Sequence, residues 1–169
     1  MKFNLSELLH EDQTKRYFSF EVLPPLKGNG THQLFDTIDK LKEFHPLYIN
    51  ITTHHSEYVY RELDNGLIER QQIRRRPGTI AIAAAIQNRY GIPIQPHLIC
   101  SGATKEEIEY ELLDLQFLGI KNILLLRGDE AQEDKSVKPT PGGYAHTTEL
   151  IKQVNQFDNG FFLDGTPMK

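Results

Sequence analysis

Asn122-Ile123-Leu124-Leu125-Leu126-Arg127-Gly128-Asp129 decides the fold class of this 169-residue chain. Four aliphatic residues in succession form the near-continuous run of a parallel strand covered on both faces, and the polar triplet after them marks the strand's C-terminal end. Three further apolar segments match it upstream, over residues 16–23, 47–52 and 94–100. In the first, Phe18, Phe20 and Val22 alternate with Tyr17, Ser19 and Glu21, and Pro24-Pro25 ends it. Between the strands the apolar period lengthens to that of helices. Leu34, Phe35, Ile38, Leu41 and Phe44 mark one face over residues 32–44, and a small-residue helix covers 80–87. Thr104 and Glu107 form a capping box ahead of Ile108, Leu112 and Leu115, with Gly119 at the C-terminus; Leu150, Ile151, Val154 and Phe157 mark a last helix before Gly160. Segments 61–79 and 129–143 are poor in apolar residues and read as long surface loops.

Strand and helix in turn imply right-handed crossovers and a parallel α/β sheet. A doubly wound sheet and a barrel share this alternation. No Gly-x-Gly-x-x-Gly follows any strand, which favours the barrel. Four strand–helix units are half of an eight-unit barrel, whose usual length is about 250 residues.

Composition removes several classes of function. With 23 acidic residues against 19 Lys plus Arg, the net charge of −4 gives no electrostatic reason to expect nucleic acid or an anionic membrane as partner. The single cysteine, Cys100, excludes an intrachain disulfide and reads as a packed thiol, and no Cys/His spacing suggests a structural zinc site. The longest apolar run, residues 80–86, is far short of the roughly 20 residues that span a bilayer. The N-terminus turns acidic by Glu7 and lacks the apolar core of a secretory signal, so a cytoplasmic protein is expected.

In parallel α/β folds the reactive groups collect where strands end. That rule selects Glu21, Thr52 with Thr53, His97, and Arg127-Gly128-Asp129. Glu21 lies opposite in parity to Phe18 and Phe20; if these rings face the helices, its carboxyl points into the barrel mouth. Burial beside Phe20 and Pro24 would favour the protonated form and suit a general acid, while an ordinary strand-end carboxylate is the plainer alternative. Arg127 offers a planar donor fork, and Gly128 admits a flat ligand close to the backbone. The alternative for Arg127 and Asp129 is a local ion pair. His97 reads more plainly as a hydrogen-bonded core histidine than as a catalyst. His54, His55 and Glu57 do not share the geometry of a metal site, since adjacent strand residues point to opposite faces. Arg74-Arg75-Arg76 could meet a phosphate, although a solvated charged loop is the plainer reading. Glu21 and Asp129 at two strand ends would also suit a glycoside hydrolase, although the chain lacks the tryptophan that most often stacks on sugars.

Taken together these motifs resemble the methylenetetrahydrofolate reductase family, flavin-dependent (β/α)8 TIM-barrel enzymes of one-carbon metabolism and methionine biosynthesis. Phe18-Ser19-Phe20-Glu21-Val22-Leu23-Pro24-Pro25 resembles the family's first-strand signature, Ile49-Asn50-Ile51-Thr52 the second, Pro96-His97-Leu98-Ile99-Cys100 the third and Leu126-Arg127-Gly128-Asp129 the fourth. The resemblance spans about residues 17 to 155. It implies FAD as cofactor, NAD(P)H as reductant and 5,10-methylenetetrahydrofolate as the small-molecule substrate. It implies Glu21 as the general acid and Asp129 as the acid facing both folate and flavin. Thr52, Thr53, His97, Arg127, Gly128, Asp129, Tyr144 and Ala145 would then meet the flavin; Thr53-His54 stands where the family often has Tyr-Gly. The family's strands five to eight have no counterpart, so a truncated barrel, covering its first four units in residues 1–169, is expected. A catalytically incomplete half-barrel that binds ligand weakly or associates with itself is the alternative, and a homo-oligomer is compatible with either.

Overall fold

The computed structural model describes residues 4–11, 14–26, 28, 30–53, 57–128 and 140–169. In chain order they form α1 (Leu5–Glu11), β1 (Ser19–Val22), α2 (Thr31–Leu41), β2 (Tyr48–Ile51), β3 (Glu57–Glu62), β4 (Ile68–Ile73), α3 (Thr79–Tyr90), β5 (Ile94–Ile99), α4 (Lys105–Phe117), β6 (Leu124–Leu126) and α5 (Thr147–Asp158). β1, β2, β5 and β6 build a parallel sheet in that spatial order, and β3 pairs with β4 as a separate antiparallel hairpin. The parallel order follows the chain without the reversal that defines a doubly wound sheet.

Register separates the two faces of this sheet. Phe20 lies beside Ile49 and Val22 beside Ile51; Ile49 lies beside Ile94 and Ile51 beside Pro96; Leu98 lies beside Leu125. This face meets Leu34 and Ile38 of α2, Ile82, Ala83 and Ile86 of α3, Ile108, Leu112 and Leu115 of α4 and Leu150 of α5 in one core. Cys100 is fully buried there, and burial pushes its thiol pKa up, as suits a packed thiol. The other face carries Glu21, Asn50, Gln95 and His97, then Ile99, Leu124 and Leu126. Leu124 and Leu126 are each 36% exposed, so the expected double covering of residues 123–126 is not found among the described residues. Right-handed crossovers in a sheet whose order follows the chain put the helices on one side only.

Three expectations need correction. Segment 61–79 is no surface loop: β3 and β4 join through Leu63–Leu67, where Leu63 N–H donates to Leu67 O at 2.8 Å and Gly66 takes φ +77°. Asn65-Gly66 was the sequence signal for this turn. Phe44 leaves the core face and is 61% exposed, because the chain tightens into a 3-10 turn over Lys42–Phe44 and reverses at His45, φ +52°. In α5 the buried partner of Leu150 is Gln153, while Ile151 is 41% exposed. Gln153 Nε2 donates to Lys105 O at 2.9 Å, so a polar residue joins α5 to the start of α4. No helix among the described residues is long and apolar enough to cross a membrane.

Candidate functional site

The polar row on the open face comes directly from register: Glu21 lies beside Asn50, and Asn50 beside Gln95. Two residues beyond Gln95 on the same face, His97 brings its Nε2 to 3.8 Å from Glu21 Oε2, wider than a hydrogen bond. The Glu21 side chain is 58% exposed, so the burial expected for it beside Phe20 and Pro24 does not occur. Among the described residues no helix closes over that face. Burial falls instead on His97, 8% exposed, and desolvation lowers its pKa from the ordinary 6.5 against a weaker upward pull from Glu21. His97 Nε2 and Asn50 Oδ1 are buried and have no hydrogen-bond partner among the described residues. Buried polar atoms normally have one, so this face is suited to a polar ligand.

The strand ends are tied together by threonine. Thr52 N–H donates to Val22 O at 3.1 Å, and the Thr53 hydroxyl lies 2.8 Å from that of Thr79 while donating to the His97 carbonyl. At the end of β6, Arg127 O accepts from Ser101 N–H at 2.9 Å, and Gly128 takes φ +88°, a conformation open to glycine. Asp129 lies outside the described residues, as do His54 and His55. Tyr144 is half-buried with the Lys105 ammonium 5.0 Å from its ring centre, and burial raises its hydroxyl pKa. Its place follows from Gly143, where a Cβ would come within 2.3 Å of Ala103 O. The N–H groups of Ala145 and His146 each donate to Glu149 Oε2 at 3.0 Å; these two bonds hold the Glu149 carboxyl below the usual carboxylate range.

A cleft of about 700 Å³ opens beside these strand ends, lined among others by Pro24, Thr53, Thr79, His97 and Ser101. Of the predicted site residues, Thr53 and His97 line it; Glu21, Thr52, Arg127, Gly128, Tyr144 and Ala145 stand outside its lining. Arg74, Arg75 and Arg76 border it from a loop in which Arg74 and Arg75 are exposed, as the reading of a solvated loop expects, while Arg76 is half-buried. Arg76 Nη1 donates to the Pro24 carbonyl and so holds the segment against the end of β1.

A family model described as Methylenetetrahydrofolate reductase matches residues 6–165. The chain is 30% identical over 155 residues to the 5,10-methylenetetrahydrofolate reductase of Pectobacterium carotovorum subsp. carotovorum, covering 91% of this chain and 45% of that protein. It is 30% identical over 154 residues to the Escherichia coli (strain K12) protein of the same name, covering 91% and 46%, respectively. It is 26% identical over 151 residues to Methylenetetrahydrofolate reductase (NADH) 1 of Arabidopsis thaliana, covering 89% and 23%. The chain therefore spans less than half the length of these curated relatives. With nearly the whole chain matched and the motif residues placed along one edge of a chain-ordered parallel sheet, the chain belongs to the methylenetetrahydrofolate reductase family.

Proposed function

We propose that residues 1–169 form the N-terminal portion of a single (β/α)8 barrel domain that reduces 5,10-methylenetetrahydrofolate to 5-methyltetrahydrofolate, with FAD as cofactor and NAD(P)H as reductant. The observation that carries this reading is the approach, to 3.8 Å, of an exposed Glu21 carboxyl to a buried His97 Nε2 that has no hydrogen-bond partner among the described residues, on the open face of the sheet. The orphaned nitrogen fits a flat, polar ring system that supplies the missing hydrogen bond. Bound FAD would carry the hydride between reductant and folate.

The chain's own residues provide orientation and a proton. Glu21 reaches ligand without rearrangement, because its side chain is 58% exposed, and it donates a proton to the bridging nitrogen of the folate's five-membered ring, which opens the ring to an iminium. His97, its pKa lowered by burial, is neutral near pH 7 and offers Nε2 to the ring system without adding charge. Thr53, bonded to the His97 carbonyl and to Thr79, fixes the strand that presents the imidazole. Thr52, Arg127, Gly128, Tyr144 and Ala145 complete the cofactor contacts, and Asp129 stabilises positive charge on the substrate.

The test has two parts. After incubation with FAD and desalting, the protein should stay yellow and release FAD on denaturation. In the flavin-loaded protein, Glu21→Gln should slow folate reduction by about 100-fold or more, the range of general acid catalysis, while NAD(P)H oxidation by an artificial acceptor continues. Equal loss of both half-reactions would remove Glu21 from the proton step. The open sheet face and the chain's share of its relatives' length support a second reading, a non-catalytic piece that binds ligand weakly or self-associates. A colourless preparation that takes up no flavin is its expected result.

A further inference from the structure

We propose that the β3–β4 ribbon joins two copies of this chain, the β3 edge of one pairing antiparallel with the β3 edge of the other about a two-fold axis at Val59. Among the described residues β3 and β4 pair only with each other, so each leaves one edge free. A two-stranded ribbon alone in water is marginally stable at best, and further strands or a packed face are what stabilise it. Here every described position from Val59 to Glu69 is exposed. The ladder runs unbroken from Glu57 beside Ile73 to Glu62 beside Ile68, and neither strand holds the proline, lysine or bulge that commonly blunts a free edge.

Register fixes which backbone groups face outward. The bond from Leu63 N–H to Leu67 O at 2.8 Å makes these two residues an inward-bonding pair. Inward and outward bonding alternate along an antiparallel strand, so Glu57, Val59 and Arg61 direct their N–H and C=O groups to β4, while Tyr58, Tyr60 and Glu62 turn theirs to the free edge. A two-fold axis at Val59 then brings Tyr58 of each copy opposite Tyr60 of the other as hydrogen-bonded pairs, the self-complementary contact of a symmetric dimer. The same register sets Glu57 of each copy opposite Arg61 of the other, and opposite charges at facing positions stabilise the pairing. Arg61 already faces Glu69 within its own ribbon, so it comes to stand between two acids. The β4 edge offers no such match: an axis at Arg70 sets two arginines opposite each other, and one at Gln71 sets Glu69 opposite Ile73. The product is a four-stranded antiparallel sheet made by strand addition, in which the β3 edges are used up. Each ribbon leads into residues 74–78, which border the cleft, so pairing steadies one wall of the cleft in both copies. No ligand enters the pairing, and it stands whether or not the chain holds flavin.

Disulfide trapping tests it. At the axis the two Val59 residues form a non-hydrogen-bonded pair with Cα atoms about 4.5 Å apart, within the span of a disulfide. On mild oxidation Val59→Cys should therefore give a cross-linked dimer at least about 10-fold faster than Gln71→Cys, an exposed position on β4 away from the axis; Cys100 is buried and takes no part. Tyr60→Pro removes an outward N–H and leaves the bonds to β4 in place, so sedimentation should show a dimer dissociation constant raised at least about 10-fold with an unchanged far-ultraviolet circular dichroism spectrum. Equal cross-linking rates for the two cysteines, a Tyr60→Pro chain that associates as the parent does, or a parent that stays monomeric overturns the proposal. Association that Leu124→Lys alone abolishes runs through the inner sheet face, and it overturns the ribbon pairing as well.

Discussion

His97 sits between two influences, desolvation that lowers its pKa and the Glu21 charge that raises it, and desolvation is the larger. The sign of the pH dependence follows. Unfolded, the imidazole titrates near 6.5; folded, it titrates lower, so below 6.5 the unfolded chain takes up a proton that the folded chain refuses. The contribution of His97 to stability is complete above that value and is lost as pH falls through the window beneath it, by at most about 1.4 kcal/mol per pH unit for one proton. Urea unfolding between about pH 7.5 and pH 5.5 should show a steeper loss in the parent than in His97→Asn. Identical slopes would mean that this imidazole is not desolvated in the fold. Glu21, Thr52, Thr53, His97 and Arg127-Gly128 were legible as strand-end residues, because that reading needs only the end of an apolar run. The exposure of Glu21 was not, because it depends on what lies over the opposite face.

Between elements, the first turn of α4 connects more of the structure than its length suggests. Thr104 N–H donates to Glu107 Oε2 at 2.8 Å and Glu107 N–H to Thr104 Oγ1 at 3.2 Å, the capping box expected from the sequence. The next residue, Lys105, donates its N–H to Gly142 O at 3.1 Å, accepts from Gln153 at 2.9 Å and sets its ammonium over Tyr144. Thr104→Ala should therefore cost about 1 kcal/mol and lower the melting temperature by about 2–4 °C, while Thr104→Ser should restore it. Unchanged melting of Thr104→Ala would show that the cap is redundant with these neighbouring bonds. The capping box was legible because its chemistry spans four residues. The β3–β4 hairpin was under-read for the converse reason: Val59, Tyr60 and Ile68 are 40%, 60% and 70% exposed, so these apolar residues give no buried alternation to reveal it.

At the scale of the whole molecule, the sheet is finished on one side only. Among the described residues β1 pairs only with β2 and β6 only with β5, and the face carrying Leu124 and Leu126 has no helix over it. Unpaired strand edges beside an exposed apolar surface favour association. Analytical ultracentrifugation should show a mass that rises with concentration, and Leu124→Lys should shift the chain toward monomer; a monomer at every concentration in both would count against an accessible inner face. The sequence alone determined the alternation of strands and helices, their caps and the placing of motif residues at strand ends, because period and capping chemistry act within a few neighbouring residues. Tertiary structure alone decided which sheet face is covered, that Glu21 meets His97 at 3.8 Å, and that the three arginines border a cleft. Those relations depend on strand register and helix docking between segments far apart in the chain, and no local pattern carries either.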